Sequence, residues 1–163
     1  GGTYAYYKWS STENINVSIN VEGSTVTFVG GDNVTGVLTP TSSKEGGITK
    51  DITVTASDEG STMSLYMDLT TMPDALKEES FVYELYYNDS TLVTSGNFAN
   101  ITYASSGTTT LTLFTDRSVS TTEDKYTLYL WFNGKDYTNP STMQNQTLSF
   151  DLYATGKNAT LTS

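Results

Sequence analysis

The sequence predicts an all-β protein, a jelly-roll-like two-sheet sandwich with one short helical crossover. Three observations lead there. Apolar and polar residues alternate at period two along nearly the whole 163-residue chain, with no long stretch of helical periodicity. Ser and Thr fill 49 positions; the branched Cβ of Thr favours strands, while Ser competes for backbone hydrogen bonds and favours turns. Turn pairs fall between the apolar runs at Gly30-Gly31, Gly46-Gly47, Asn88-Asp89 and Asn133-Gly134. The last reads as the strongest short hairpin signal, because both central residues of a type I′ turn need positive φ.

The expected strands, in order, are 5–9, 14–21, 25–29, 50–56, 63–69, 81–87, 92–95, 109–114, 125–132 and 147–153. The first four are short alternating runs, and 63–69 places Met63, Leu65, Met67 and Leu69 on one side. Residues 72–79 break the pattern: Pro73 stands at a first helical turn with acids behind it, which predicts a short helix or 3₁₀ turn crossing between sheets. Strand 81–87 puts Phe81, Tyr83, Leu85 and Tyr87 on one face and Val82, Glu84 and Tyr86 on the other. Strand 125–132 sets Tyr126, Leu128, Leu130 and Phe132 against Tyr129 and Trp131. Strand 147–153 is more one-sided, with Leu148, Phe150 and Leu152 inward. These three are expected at the centre, and an outer face bearing Tyr and Trp is expected to be covered by other chain or by a neighbour.

Length fits one domain able to bury a core unaided. The absences exclude more. With no Cys and no His there is no disulfide, thiolate nucleophile, Cys/His metal or haem site, or Ser-His-Asp triad. A net charge of −10 and a pI near 4.1 argue against nucleic acid as a partner. Residues 51–100 carry nine acids against one Lys, so one region of the domain is strongly negative. No apolar run reaches membrane-span length, so no membrane span is expected. No signal peptide is visible, which fits either an intracellular chain or a mature end at Gly1 after cleavage. Six N-glycosylation sequons, at Asn16, Asn33, Asn88, Asn100, Asn145 and Asn158, favour the extracellular alternative. Eleven Asn among this many Ser and Thr would yield about three sequons by chance, so the excess is modest.

Carboxylate pairs are the catalytic pattern that this composition leaves open, as in glycoside hydrolysis. Asp58-Glu59 and Glu78-Glu79 are adjacent acids in expected turns, and Glu84 interrupts an aromatic strand. Solvated loop acids and an outward-facing strand residue are the simpler explanations, so no catalytic residue is assigned. No Asp-x-Asp-x-Asp-Gly calcium loop occurs, and Asp32-Asn33 and Asn88-Asp89 are turn chemistry first. Gly30-Gly31-Asp32 lacks the Lys and following helix of a phosphate loop. No cofactor is expected. The 12 Tyr and 2 Trp leave a carbohydrate-binding or adhesin module as an alternative, with glycans as its partners.

The N-terminal run Thr3, Tyr4, Ala5, Tyr6, Tyr7, Lys8 and Trp9 is aromatic, alternates like a strand and is followed by the polar residues 10–14. Such a strand can insert into a neighbouring subunit, adding main-chain hydrogen bonds and burying its rings there. The same residues equally suit an edge strand folded back on its own sheet. The division expected is a donor strand and linker over residues 1–13 and a β-sandwich over 14–163.

The runs Lys50-Asp51-Ile52-Thr53-Val54-Thr55-Ala56-Ser57, Leu65-Tyr66-Met67-Asp68-Leu69, Phe81-Val82-Tyr83-Glu84-Leu85-Tyr86 and Tyr129-Leu130-Trp131-Phe132-Asn133-Gly134 resemble secreted jelly-roll subunits of extracellular fibres. The nearest are the TasA and camelysin family of biofilm matrix proteins and the related archaeal bundling pili. The resemblance covers residues 48–155. It implies a signal-cleaved, disulfide-free, non-enzymatic sandwich at the cell surface or in the matrix, polymerising with identical subunits by passing Thr3 to Trp9 into the neighbour. The chain is shorter than the larger members, and without His it cannot carry the protease activity sometimes attached to camelysin.

Overall fold

Where the sequence alternates, the inward set meets between two stacked β-sheets. The structure, a computed structural model, describes residues 7–11, 16–21, 24–29, 34–38, 43–133 and 147–158. Its strands are β1 (Tyr7–Ser11), β2 (Asn16–Val21), β3 (Ser24–Val29), β4 (Val34–Leu38), β5 (Ile48–Ala56), β6 (Ser61–Thr71), β7 (Phe81–Tyr87), β8 (Thr91–Asn97), β9 (Thr109–Ser118), β10 (Asp124–Phe132) and β11 (Thr147–Asn158). Five form one sheet in the order β4-β1-β11-β6-β9, and six form the other in the order β2-β3-β5-β10-β7-β8. The chain is thus an all-β two-sheet sandwich. Each expected strand has a counterpart, and β4 is an addition to the expected set.

The crossover expected at residues 72–79 is a single 3₁₀ turn, η2 (Asp74–Leu76), joining β6 of one sheet to β7 of the other. Pro73 stands at its start with φ −65°, and fully buried Leu76 anchors it to the core. A second 3₁₀ turn, η1 (Lys44–Gly46), precedes β5.

Of the expected turn pairs, Asn88-Asp89 makes a hairpin. Asn88 and Asp89 both have positive φ, 50° and 64°, and the Ser90 amide donates to the Tyr87 carbonyl at 3.2 Å, so this pair makes the tight turn between β7 and β8. Gly134 of the expected Asn133-Gly134 turn lies outside the described residues, and β10 and β11 lie in different sheets. The Asn133 amide instead donates to the Ser80 carbonyl at 2.8 Å.

The core is aromatic at one end. Phe81 stacks on Phe98 at 4.6 Å and lies 4.8 Å from Phe132, while Tyr83 meets Phe98 edge-on at 5.5 Å. Leu148, Phe150 and Leu152 of β11 are buried as expected, with Phe150 opposite Leu69 and Leu152 opposite Met67 of β6 in the same layer. One inward position departs from the alternation. Lys50 lies between Ile48 and Ile52, opposite Leu128, and is 4% exposed; it is engaged in a polar or electrostatic interaction of its own. An ammonium at this depth needs such an interaction, because an isolated buried charge is strongly disfavoured.

Candidate functional site

The strand expected to act as donor is second in the five-stranded sheet, between β4 and β11. Thr3, Tyr4, Ala5 and Tyr6 lie outside the described residues, while Tyr7, Lys8 and Trp9 belong to β1. On one side β1 runs parallel to β11, with Lys8, Trp9, Ser10 and Ser11 opposite Thr147, Leu148, Ser149 and Phe150. On the other side it runs antiparallel to β4, from Tyr7 opposite Leu38 to Ser11 opposite Val34. The edge strand on this side of the sheet is therefore β4, and the edge placement considered for the first strand does not hold within this chain.

Two features make that slot unusual. Among the described residues, β1 with β11 is the only parallel pair in a sandwich of antiparallel ladders. Parallel pairing cannot come from a hairpin and requires a long connection or a separate segment. The backbone of β1 also bridges both neighbours, so lifting it out would leave two unpaired strand edges facing each other across a gap. The gap would border Leu148 and Phe150, both fully buried, at about 1.5–3 kcal/mol for each side chain returned to water. Residues 12–15 join β1 to β2, which begins the other sheet.

The candidate acids Asp58-Glu59, Glu78-Glu79 and Glu84 lie on separate elements. Asp58 and Glu59 lie exposed in the turn between β5 and β6, where Ser57 Oγ donates to Asp58 Oδ2 at 3.0 Å. Glu78 accepts from Ser80 Oγ at 3.1 Å in the exposed link after η2. Glu84 faces outward on β7 as a hydrogen-bond acceptor for Tyr86 Oη at 2.8 Å, and that bond holds the Tyr86 phenol above its ordinary pKa. Lys44 lies over the Tyr86 ring at 4.3 Å and Tyr129 at 5.4 Å, and Tyr86 in turn raises the Lys44 pKa. This cluster is a cation held on an aromatic surface. Asp68 and Asp151 form a cross-strand carboxylate pair that strand alternation alone does not reveal, because it depends on the β6–β11 register. Thr110 Oγ1 donates to Asp68 at 2.6 Å, and Tyr66 stacks on Tyr153 beside it at 4.8 Å. Among the described residues no three acids converge as a metal centre would need, and no helix is long and apolar enough to cross a membrane.

Trp131 does face outward from β10, but the chain covers it. Gly47, just after η1, lies so close that a Cβ there would strike the Trp131 Cβ and the Leu130 carbonyl oxygen, and Trp131 is only 6% exposed. It is therefore not a free platform for a sugar ring. Of the sequon residues, Asn88 and Asn100 are exposed in turns, Asn16 opens β2 and Asn158 ends β11, while Asn33 and Asn145 lie outside the described residues. In comparison with known proteins, the chain matches no family model and no curated sequence.

Proposed function

We propose that this chain is a structural, non-enzymatic subunit of an extracellular filament, a pilus or biofilm matrix fibre, polymerising by donor-strand exchange between identical copies. The observation that carries the reading is the position of β1: a strand paired parallel to β11 and antiparallel to β4, inside a slot that needs it. Exchange keeps the same ladder and changes only which chain supplies it, so self-insertion and insertion into a neighbour compete on nearly equal contacts. The resemblance to TasA-like and bundling-pilus subunits points the same way.

Electron microscopy of the native secreted material, beside a chain lacking residues 1–11 supplied with a peptide of that segment, tests this. Filaments from the intact chain and monomers from the peptide-filled one are the expected result. Monomers from both contradict it and favour a binding module that uses the outward Tyr residues.

A further inference from the structure

The sheet edges of this protein are guarded unequally. At one end of the five-stranded sheet, β9 carries Asp116 and Arg117, has Asp116 at φ 52°, and shifts register twice against β6. Charges and bulges of this kind stop an edge from pairing with another chain. At the end of the six-stranded sheet, β8 has the sequence Thr-Leu-Val-Thr-Ser-Gly-Asn; it shifts register once against β7, at Val93, but carries no charge and no Pro. It also bears Leu92, 48% exposed and the one large apolar side chain so exposed among the described residues. Such an edge is a template for pairing with a second copy.

The sequons fall where charge is missing. Asn88 lies three residues before β8 begins, and Asn100 three residues after it ends. Asn16 opens the uncharged edge strand β2, and Asn33 directly precedes the uncharged edge strand β4 in the sequence, whereas β9 has no sequon. Asn145 and Asn158 adjoin the interior strand β11 and fall outside this pattern. At β8 the sites are geometrically open. Asn88 and Ser90 are exposed at the turn, and Asn100 and Thr102 are exposed in the segment after the strand. The Asn97 side chain accepts from the Ala99 and Asn100 amides at 3.0 Å, turning that segment away from the strand end.

We propose that N-linked glycans on Asn88 and Asn100 shield the bare β8 edge against pairing with a second copy of the chain. The modification joins Asn Nδ2 to the anomeric carbon of a lipid-diphosphate-linked oligosaccharide. The lipid diphosphate leaves with the bonding pair, and the amide gives up one proton. Bulky hydrated sugars at both ends of a seven-residue strand exclude a partner backbone from the span between them.

The test uses protein recovered from the medium or cell surface of its own source. Glycopeptide mass spectrometry is expected to find sugar on Asn88 and Asn100; unmodified peptides at both positions overturn the proposal, whatever the other sequons carry. The Ser90→Ala, Thr102→Ala double variant removes both sequons without touching the positive-φ Asn88, and circular dichroism verifies its fold. Sedimentation velocity on the form lacking residues 1–11 and filled with the peptide of that segment, which strand exchange leaves monomeric, is expected to show about tenfold tighter self-association for that variant, abolished when Leu92→Lys charges the edge. Unchanged association, or association that persists with Leu92→Lys, overturns the shielding role.

Discussion

Removing the Asp124 carboxylate should cost this fold about 3–4 kcal/mol. Asp124 opens β10 at 3% exposure, with Oδ1 accepting the Tyr87 hydroxyl at 2.8 Å and Oδ2 the Ser120 amide at 2.7 Å. Beside it, the Arg117 guanidinium lies 5.6–5.8 Å from the Tyr87, Phe114 and Tyr126 rings, and its Nε donates to Tyr126 Oη at 3.2 Å. The group ties β7, β9 and β10 together at one end of the sandwich. A hydrogen bond to a charged acceptor is worth about 1.5–3 kcal/mol. Asp124→Ala removes two, but the half-buried Tyr87 hydroxyl can turn toward water, which keeps the sum near the lower end. Tyr87→Phe removes one donor and should cost about 1.5 kcal/mol. In the double variant the second change should be nearly free, a coupling of about 1.5 kcal/mol. Urea unfolding followed by circular dichroism reads these as midpoint shifts at constant slope. Asp124→Ala within about 0.5 kcal/mol of the parent, or additive losses in the double variant, would refute the reasoning.

Alkaline titration offers a second check. Burial raises the phenols of Tyr83, Tyr126 and Tyr153, the hydrogen bond to Asp124 raises that of Tyr87, and burial takes Tyr103 to about 12. Because these folded values exceed the unfolded value near 10, their stabilisation is complete below about pH 10 and is lost as pH rises toward 12. Phenolate absorbance should therefore show a late group of tyrosines ionising together with unfolding; all twelve titrating smoothly near pH 10 would contradict it. Gly47→Ala should destabilise by about 1–3 kcal/mol, because its Cβ meets backbone at Leu130 that cannot swing aside. It should also red-shift tryptophan emission as the cover over Trp131 loosens; an unshifted spectrum at full stability would count against that packing.

Much of this architecture is readable from residue order. β7 and β10 are legible because apolar residues on both faces mark buried central strands, and Pro73 with the acids after it marks the crossover. Other features depend on tertiary pairing. β4 is only five residues long, is interrupted by Gly36 and lies between glycine and proline turn signals, so its local pattern is weak. Lys50 follows the inward parity of β5 against its own chemistry. The Asp68–Asp151 pair exists only once β6 and β11 adopt their register. The candidate site divides the same way: an aromatic strand followed by a polar connector can be read in sequence, whereas a parallel slot between β4 and β11 cannot, because alternation carries no information about strand direction.

Strand exchange can be read from a single covalent bond. Ser10 of β1 lies opposite Ser149 of β11, and the chain contains no Cys, so Ser10→Cys with Ser149→Cys introduces one defined pair at a spacing that a disulfide can bridge. Oxidised native assemblies, run without reductant in denaturing gel electrophoresis, should give a ladder of covalent multimers that collapses to monomer on reduction. A single internally bonded monomer band would show that each chain fills its own slot, and would contradict the filament account.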